Sequence, residues 1–308
     1  MNLGSPEGTI KTLLSATPWA STQIVGDLAN SDRLKVFCSD NGIEYIKLGL
    51  RNDFSECHNQ ILKLSKTPWH IHLYPGETLV NPDKINDLVD GPATAYRFPC
   101  VQGGWLNKEI RLYHKNVDCK FSRPVFEVIK AESMFAEVYI VGGESPPPVG
   151  QIIEKWIEKN PLSLTPRYYK TLSLLMEGKQ DEFVAATRQH LFADNKATTD
   201  NIMLRYYLAC ALAENHKTRK ECAQQIVECL SANTLMAEFW CLLGDICFSE
   251  SSCDRAIAFY RNAMTLGSQR RKDDEWPMHI AKYKKHPENM ISKCRETLKN
   301  TKMFKIKW

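Results

Sequence analysis

Residues 240–260 read WCLLGDICFSESSCDRAIAFY, and this stretch decides the fold of the C-terminal half of the chain. Trp240 is followed four positions later by the small residue Gly244, and Ala256 and Tyr260 follow in the next helical stretch. Small side chains let two helix backbones approach closely, while a large ring fills the space that remains between them. The stretch therefore predicts two consecutive helices packed against each other.

The same pattern occurs twice more toward the N-terminus. Tyr206 and Tyr169 stand 34 and 71 residues before Trp240, and Ala185 and Gln189 fall in the register of a second helix. A period near 34 residues resembles the tetratricopeptide repeat, whose helix pairs stack on their neighbours. The resemblance implies a concave surface that binds a protein or peptide partner, or contacts that fix a homo-oligomer. Chance periodicity in an unrelated helical bundle is the alternative interpretation.

A proline-rich segment, ESPPPVG at 144–150, separates this helical region from the N-terminal half. Three consecutive prolines remove backbone donors and fix φ, so they cannot continue a regular helix or a central strand. We therefore predict a first domain over 1–143 and helical repeats over 151–300. The remaining residues, 301–308, alternate in polarity like a strand, and we expect this tail to dock on the first domain.

The N-terminal half alternates between helix-like and strand-like segments, which favours an α/β domain with an antiparallel addition. Helices are predicted over 9–16, before Gly42, and over 53–66. Strands are predicted over 21–27, 43–49 and 69–77, with a hairpin formed by 93–101 and 108–114.

Composition indicates a soluble, cytoplasmic protein with two cores. The 308 residues are 43% hydrophobic and 25% charged, and no apolar stretch is long enough to cross a bilayer. The eleven cysteines lack zinc-type spacing, so reduced and mostly buried thiols are expected. The net charge of +4 argues against a nucleic-acid partner for the whole chain. Residues 268–308 are locally basic, and Lys282, Lys284 and Lys285 are expected on a solvated helix face.

Six segments follow one another in the order found in family 2 glycosyltransferases that carry tetratricopeptide repeats. In chain order they are SPEGTIKTLLSA, IVGDLANSD, RNDFSECHNQIL, WHIHLYPGETL, EIRLYHKN and RPVFEVI. The chain resembles this family over residues 5–130. The resemblance implies a GT-A-type fold that binds a nucleoside diphosphate sugar. An apolar strand that precedes the first segment in the family has no counterpart here, so either the chain is a fragment or another element replaces that strand.

The resemblance also implies a set of residues that bind the nucleotide sugar. Asp27 matches the carboxylate that contacts the base, at a strand end where open α/β sheets place ligands. Asp32 matches a second aspartate, with a helix N-cap as the alternative role. The segment RNDFSECHNQIL is implied to contact the sugar nucleotide through Arg51, Asp53, His58 and Asn59. At His58 the family has an arginine.

The metal site of the family is degenerate in this chain. Tyr74 and Gly76 occupy the positions of the two metal-binding aspartates, and neither offers the carboxylate oxygen that Mg²⁺ or Mn²⁺ prefers. Glu77 is retained, as a catalytic residue that contacts the sugar or binds one ion through waters, or as a surface carboxylate in a turn. We therefore assign no metal ligand, and a metal-assisted reaction is in doubt. Tyr74 is kept among the residues expected to contact the nucleotide sugar, since its turn with Pro75 and Gly76 could still admit a sugar.

Two further residues match the family downstream. Glu127 matches a glutamate that could accept a proton from the acceptor hydroxyl. Arg111 matches an arginine that binds the donor, with an ion pair to Glu109 or Glu127 as the alternative. The sequence thus supports two functions: a glycosyltransferase of the hexosyltransferase type, or a catalytically inactive scaffold whose repeats bind protein.

Overall fold

The computed structural model describes residues 5–49, 53–116, 120–126, 128–129, 131–144 and 149–305, with side chains as far as residue 300. Its contacts divide the chain into two compact units, Met1–Pro166 and Arg167–Trp308. The sequence predicts a boundary earlier, at 144–150. The division lies later because the helix that follows the prolines, α5 (Gly150–Lys159), belongs to the first unit and buries Ile153. In the part of the chain that is described, no helix has the length and apolar character needed to cross a membrane.

The first unit begins with two short helices and a small parallel sheet. Helix α1 (Pro6–Ala16) is followed by β1 (Ile24–Asp27), α2 (Asp32–Asp40) and β2 (Glu44–Lys47). The two strands pair in parallel, with Ile24 opposite Glu44 and Asp27 opposite Lys47. Side chains from α1, β1 and α2 form one core, which contains Leu13, Val25, Leu34 and Cys38.

Helix α3 (Phe54–Leu64) packs on this small sheet. Its Cys57 is buried with Leu28 and Leu48, and Ile61 lies against the same cluster. The helix begins at Asp53, whose side chain accepts a hydrogen bond from the Glu56 N–H. The predicted helix over 53–66 is confirmed, apart from its last two residues.

A larger sheet follows in sequence. Its described strands are β3 (Trp69–Ile71), β4 (Glu77–Val80), β5 (Ala95–Gln102), β6 (Trp105–His114), β9 (Met134–Phe135) and β10 (Tyr139–Gly142), while β7 (Phe121–Ser122) pairs with β8 (Val128–Ile129). Strand β5 lies between β6 and β10, β4 pairs with β10, β3 pairs with β6, and β9 pairs with β5. A short helix, α4 (Ile85–Val89), connects β4 to β5.

The hairpin predicted over 93–114 is confirmed. Strands β5 and β6 pair in antiparallel register from Ala95 opposite Tyr113 to Gln102 opposite Trp105. Gly103 and Gly104 connect them with φ values of 57° and 85°, which suit glycine in a two-residue hairpin turn.

The sheet arrangement differs from the expected GT-A-type domain. In the described residues β1 and β2 form a sheet of their own, so Asp27 and Glu77 lie on different sheets. Helix α1 lies against β4. Just before β4 begins, the N–H of Gly76 donates to the carbonyl of Gly8 in α1 at 3.0 Å. The two sheets bury separate cores, since Val25 of β1 packs with Leu13 and Leu34, whereas the larger sheet buries Tyr96, Phe98 and Ile140 in another cluster.

The second unit consists mainly of helices. They are α6 (Leu164–Met176), which begins at the division, α7 (Gln180–Ala193), α8 (Thr199–Ala213), α9 (Arg219–Ala232), α10 (Ala237–Ser249), α11 (Cys253–Gly267) and α12 (Lys285–Lys305). Consecutive helices pack as hairpins. Leu174, Phe183 and Leu204 join α6, α7 and α8 in one core, and Cys222 of α9 donates to the carbonyl of Ala209 in α8.

The helix pair predicted from residues 240–260 is confirmed. A Cβ atom added at Gly244 would lie 2.5 Å from the ring of Tyr260, so α10 and α11 touch where the small residue stands. Their antiparallel direction follows from a second contact, in which Gly267 lies close to Ala237. The aromatic positions Tyr169 and Tyr206 are buried on α6 and α8, the first helices of the two preceding hairpins. The second unit is therefore an array of helical hairpins.

The predicted strand at the C-terminus is wrong for residues 301–305, which form the last turn of α12. Each residue added to an existing helix gains a backbone hydrogen bond, whereas a strand needs a partner edge. Residues 306–308 lie outside the described part of the chain.

Candidate functional site

The predicted residues Arg111, Glu77, Tyr74 and His58 lie together in the first unit, and with His72 they form what we call the arginine cluster. The Arg111 guanidinium donates two hydrogen bonds of 2.8 Å to the two carboxylate oxygens of Glu77. Both side chains are buried, with 2% and 9% of their surface exposed. The sequence allowed Glu77 to be a surface carboxylate, and its burial in this ion pair corrects that interpretation.

The remaining donors of Arg111 are also engaged within the chain. Its Nε donates to Glu109 at 3.0 Å, its Nη2 lies 2.9 Å from the same carboxylate, and its Nη1 also donates to the carbonyl of His72 at 3.2 Å. A guanidinium has five N–H donors in a fixed fork. Four of them form hydrogen bonds to Glu77, Glu109 and the carbonyl of His72, and Nη2 also faces the carboxylate of Glu109. The ion pair with Glu109, which the sequence offered as the alternative to donor binding, is therefore present.

Aromatic rings surround this ion pair. The guanidinium carbon of Arg111 lies 4.8 Å from the centre of the Tyr74 ring, which also meets the rings of His58 and His72 edge-on. Phe121 stacks on His58 at 4.4 Å. The Nδ1 of His72 is buried and has no hydrogen-bond partner among the described residues. These contacts hold Tyr74 and the guanidinium in a fixed arrangement.

The charges of the cluster shift the pKa values of its members. Burial, and then the positive charge of Arg111, lower the pKa of His72 well below its ordinary value. Burial also acts to lower the pKa of Arg111, but the carboxylates of Glu109 and Glu77 outweigh it and raise that pKa. The cluster thus keeps His72 neutral and Arg111 charged.

Asp27 is fully buried and binds its own loop. One carboxylate oxygen accepts from the N–H of Ala29 at 2.9 Å, and the other accepts from the N–H of Ser31 at 2.8 Å and the hydroxyl of Tyr45 at 2.9 Å. Burial and the hydrogen bond to Asp27 raise the pKa of Tyr45 to about 12. For Asp27 to contact a nucleotide base, these hydrogen bonds would have to be exchanged.

The other predicted nucleotide-binding residues have local structural roles. Asp32 is exposed in the first turn of α2, and the N-cap of that helix is Ser31, so the alternative role predicted for Asp32 is wrong by one residue. Asp53 caps α3. The side-chain amide of Asn59 accepts from the N–H of Phe121 and donates to its carbonyl, which ties β7 to α3.

Two predicted site residues, Arg51 and Glu127, lie outside the described part of the chain. Within the described residues, no group of three or more His, Cys, Asp or Glu side chains is arranged to hold a metal ion.

A second polar group, which the sequence did not predict, lies on helix α10. Glu238 is fully buried, and Asp245 is bound by Tyr260, His286 and Lys282. Lys282 was expected on a solvated helix face, but it pairs with Asp245 at 3.2 Å from a 3₁₀ turn over Ile280–Tyr283. The signal in the sequence was the spacing of Glu238 and Asp245, which places both on one face of the helix.

Comparisons with known proteins give no support to a glycosyltransferase. No family model matches the chain, and no curated protein matches it. Among solved structures, the chain is similar to MamA from Desulfovibrio magneticus RS-1, with 16% identity over 49% of this chain and 85% of that one at a TM-score of 0.35. A tetratricopeptide-repeat protein of Thermus thermophilus matches with 15% identity over 49% and 89% of the two chains, at a TM-score of 0.32. These TM-scores are too low to support an argument about the fold, so the description of the second unit as helical hairpins depends on the contacts within this chain. The resemblance to glycosyltransferases stays a prediction.

Proposed function

We propose that this chain is a non-catalytic scaffold that binds a protein partner through the helical hairpins of its second unit. The observation that carries the proposal is the buried ion pair of Arg111 with Glu77. A catalytic carboxylate must be free to exchange a proton with substrate, and an arginine that binds a diphosphate must present free N–H donors. Against both requirements, Glu77 accepts two hydrogen bonds from Arg111, and the guanidinium of Arg111 is bound to Glu77, Glu109 and the carbonyl of His72.

The second unit supports the binding half of the proposal. Hairpins that stack on their neighbours build an extended surface in which each hairpin contributes side chains to one face. Helices α8 and α10, the first helices of their hairpins, contact each other across the array. An extended protein segment, or a second copy of this chain, fits such a surface better than a compact small molecule does.

The glycosyltransferase hypothesis is the alternative. It requires that Asp27, Glu77 and Arg111 give up their internal hydrogen bonds in exchange for a nucleotide sugar. The hydrogen bonds of Asp27 and the Arg111–Glu77 pair oppose this exchange, because an unpaired buried charge costs several kcal/mol, on the order of 3–5.

Two measurements test the proposal with the full chain. Calorimetric titration with uridine, guanosine, adenosine and cytidine diphosphates, each with and without Mn²⁺, is expected to show no saturable binding. Saturable binding that is lost in Asp27→Ala would overturn the proposal in favour of the sugar transferase. Cross-linking of a captured partner, followed by mass spectrometry, is expected to place the cross-links on helices of residues 167–300. Cross-links confined to the first unit would contradict the assigned surface.

A further inference from the structure

One face of helix α10 carries Glu238, Cys241 and Asp245, which we call the α10 stripe. Residues three and four positions apart in a helix lie on the same face, so these three side chains form a line. Seven residues of helix rise about 10 Å, which separates the two carboxylates by that distance along the helix. All three members of the stripe are bound by residues 276–286, which we call the return segment.

The N-terminal end of the stripe is satisfied by a backbone donor and a hydroxyl group. The N–H of His279 donates to one oxygen of Glu238 at 2.5 Å, and the hydroxyl of Tyr283 donates to the other at 3.0 Å. That hydroxyl in turn accepts from Arg270. Glu238 is fully buried beneath these contacts, and burial raises the pKa of its carboxyl group.

The other end of the stripe is bound by a lysine, a histidine ring and the hydroxyl of Tyr260, which donates to Asp245 at 2.7 Å. The carboxylate of Asp245 forms hydrogen bonds with Lys282 Nζ at 3.2 Å and with His286 Nε2 at 2.9 Å. Between the two carboxylates, the thiol of Cys241 donates to the carbonyl of Lys282 at 3.4 Å. Burial acts to raise the pKa of Asp245, but the hydrogen bond from His286 and the charge of Lys282 outweigh it and lower that pKa.

The return segment contacts the stripe as a bound peptide does, through its own N–H and carbonyl groups as well as its side chains. His279 is extended, and Ile280–Tyr283 form a 3₁₀ turn. The first helices of the hairpins begin at Leu164, Thr199 and Ala237, but the next helix begins only at Lys285. The return segment thus interrupts the array where a further first helix would begin.

We propose that the α10 stripe is a recognition surface for a basic segment of a partner protein, and that the return segment is an internal competitor that occupies it. This inference rests on the proposed scaffold function. The return segment shows the pattern that such a partner would need. The backbone N–H of His279 binds Glu238, and three residues later the side chain of Lys282, which extends from a 3₁₀ turn, binds Asp245.

An occupant within the same chain competes strongly with one in solution. A tethered ligand acts at an effective concentration in the millimolar range, so a free peptide of equal affinity is excluded until the internal contacts are weakened. Tyr283→Phe removes the hydroxyl that reaches Glu238 and keeps the ring. Lys282→Met removes the cation that reaches Asp245 and keeps most of the aliphatic stem.

The test uses the full chain and a labelled synthetic peptide with the sequence of residues 276–286, WPMHIAKYKKH. Fluorescence anisotropy is expected to show binding to Lys282→Met/Tyr283→Phe at least tenfold tighter than to the unmodified chain. Adding Asp245→Asn to that variant is expected to remove the gain, and a scrambled peptide is expected to bind neither. Lys282→Met alone provides the same comparison if the double variant fails to fold.

Equal binding to the variants and the unmodified chain, or a gain that survives Asp245→Asn, would overturn the inference. Its failure is distinct from failure of the proposed function. If the peptide experiment fails but the partner cross-links to other helices of the second unit, the proposed scaffold function stands and only the role of the return segment as a competitor is wrong. Saturable nucleotide binding lost in Asp27→Ala would overturn the scaffold whatever the peptide does.

Discussion

Arg111 and Glu77, 34 residues apart in sequence, meet through two parallel hydrogen bonds of 2.8 Å in the interior of the first unit. This geometry matches the planar fork of the guanidinium to both oxygens of the carboxylate. Because the pair is buried, each charge depends on the other for the interactions that water would supply. The pair therefore fixes where β4 and β6 lie relative to each other.

The first prediction concerns this pair. Arg111→Met leaves the carboxylate of Glu77 buried without its cation, and we expect the free energy of unfolding to fall by about 3–5 kcal/mol. Urea denaturation followed by circular dichroism measures the change. Arg188→Met is the matched control, because Arg188 pairs with Glu221 at the surface and should cost less than about 1 kcal/mol. Equal losses in the two variants would contradict the structural role of the buried pair.

The second prediction concerns Asp27. Asp27→Ala removes the acceptor of three hydrogen bonds and leaves the N–H groups of Ala29 and Ser31 without it. Hydrogen bonds to a charged acceptor contribute about 1.5–3 kcal/mol each and are not additive, so we expect a loss of about 2–4 kcal/mol. Asp32→Ala is the control. This exposed residue stabilises α2 only through its interaction with the helix dipole, which contributes at most about 1 kcal/mol. A stable Asp27→Ala protein would show that the loop is held by other contacts.

The third prediction tests the contact between helices α10 and α11. Alanine is the better helix former, and an exposed Gly→Ala change gains about 1 kcal/mol. At Gly244 the added Cβ would lie 2.5 Å from the Tyr260 ring, so we expect Gly244→Ala to lower the melting temperature through overpacking that costs about 1–3 kcal/mol. Gly49→Ala, where the added Cβ meets nothing within 4 Å, is expected to leave it nearly unchanged. A stabilised Gly244→Ala protein would mean that the two helices are further apart.

The fourth prediction is a dependence of stability on pH. An unfolded histidine has a pKa of about 6.5, and the pKa of His72 is well below that value in the folded chain. Below about pH 6.5 the unfolded state therefore binds a proton that folded His72 does not, so stability falls as the pH is lowered from 7 to 5.

His72→Gln is expected to lose part of this slope, which is at most about 1.4 kcal/mol per pH unit for one group. Urea midpoints at pH 7, 6 and 5 measure the difference between the two proteins. His216→Gln, at an exposed position, should retain the slope of the unmodified chain. An unchanged slope in His72→Gln would show that His72 is protonated in the folded state.

The helical hairpins could be predicted because their information is local. A small residue at Gly244 and a large ring at Tyr260, 16 positions later, indicate a contact between two consecutive helices, and the structure has that contact. The first unit was harder, since the order of its strands was predicted but their grouping into sheets depends on partners far apart in sequence. Nothing near Asp27 indicates that β1 pairs with β2 in a sheet of its own.

The contacts of the polar groups were the least predictable part. Arg111 offered two roles from sequence, and its buried ion pair with Glu77 could not be read from either. Lys282 illustrates the same limit, because its basic neighbours suggest a solvated face while Asp245 lies 37 residues away in sequence. A long-range ion pair leaves no periodic signal, so composition alone assigns such residues to the surface.

Helix α12 packs along α11 and buries Ile291 and Cys294 in the core of that hairpin. The outer side of α11, where another hairpin would have to stack, is therefore already covered. Lengthening this protein by repeat duplication cannot proceed by adding units after α11 unless α12 is moved. An engineered repeat would have to be inserted inside the array, between α9 and α10, with the present end kept as its cap.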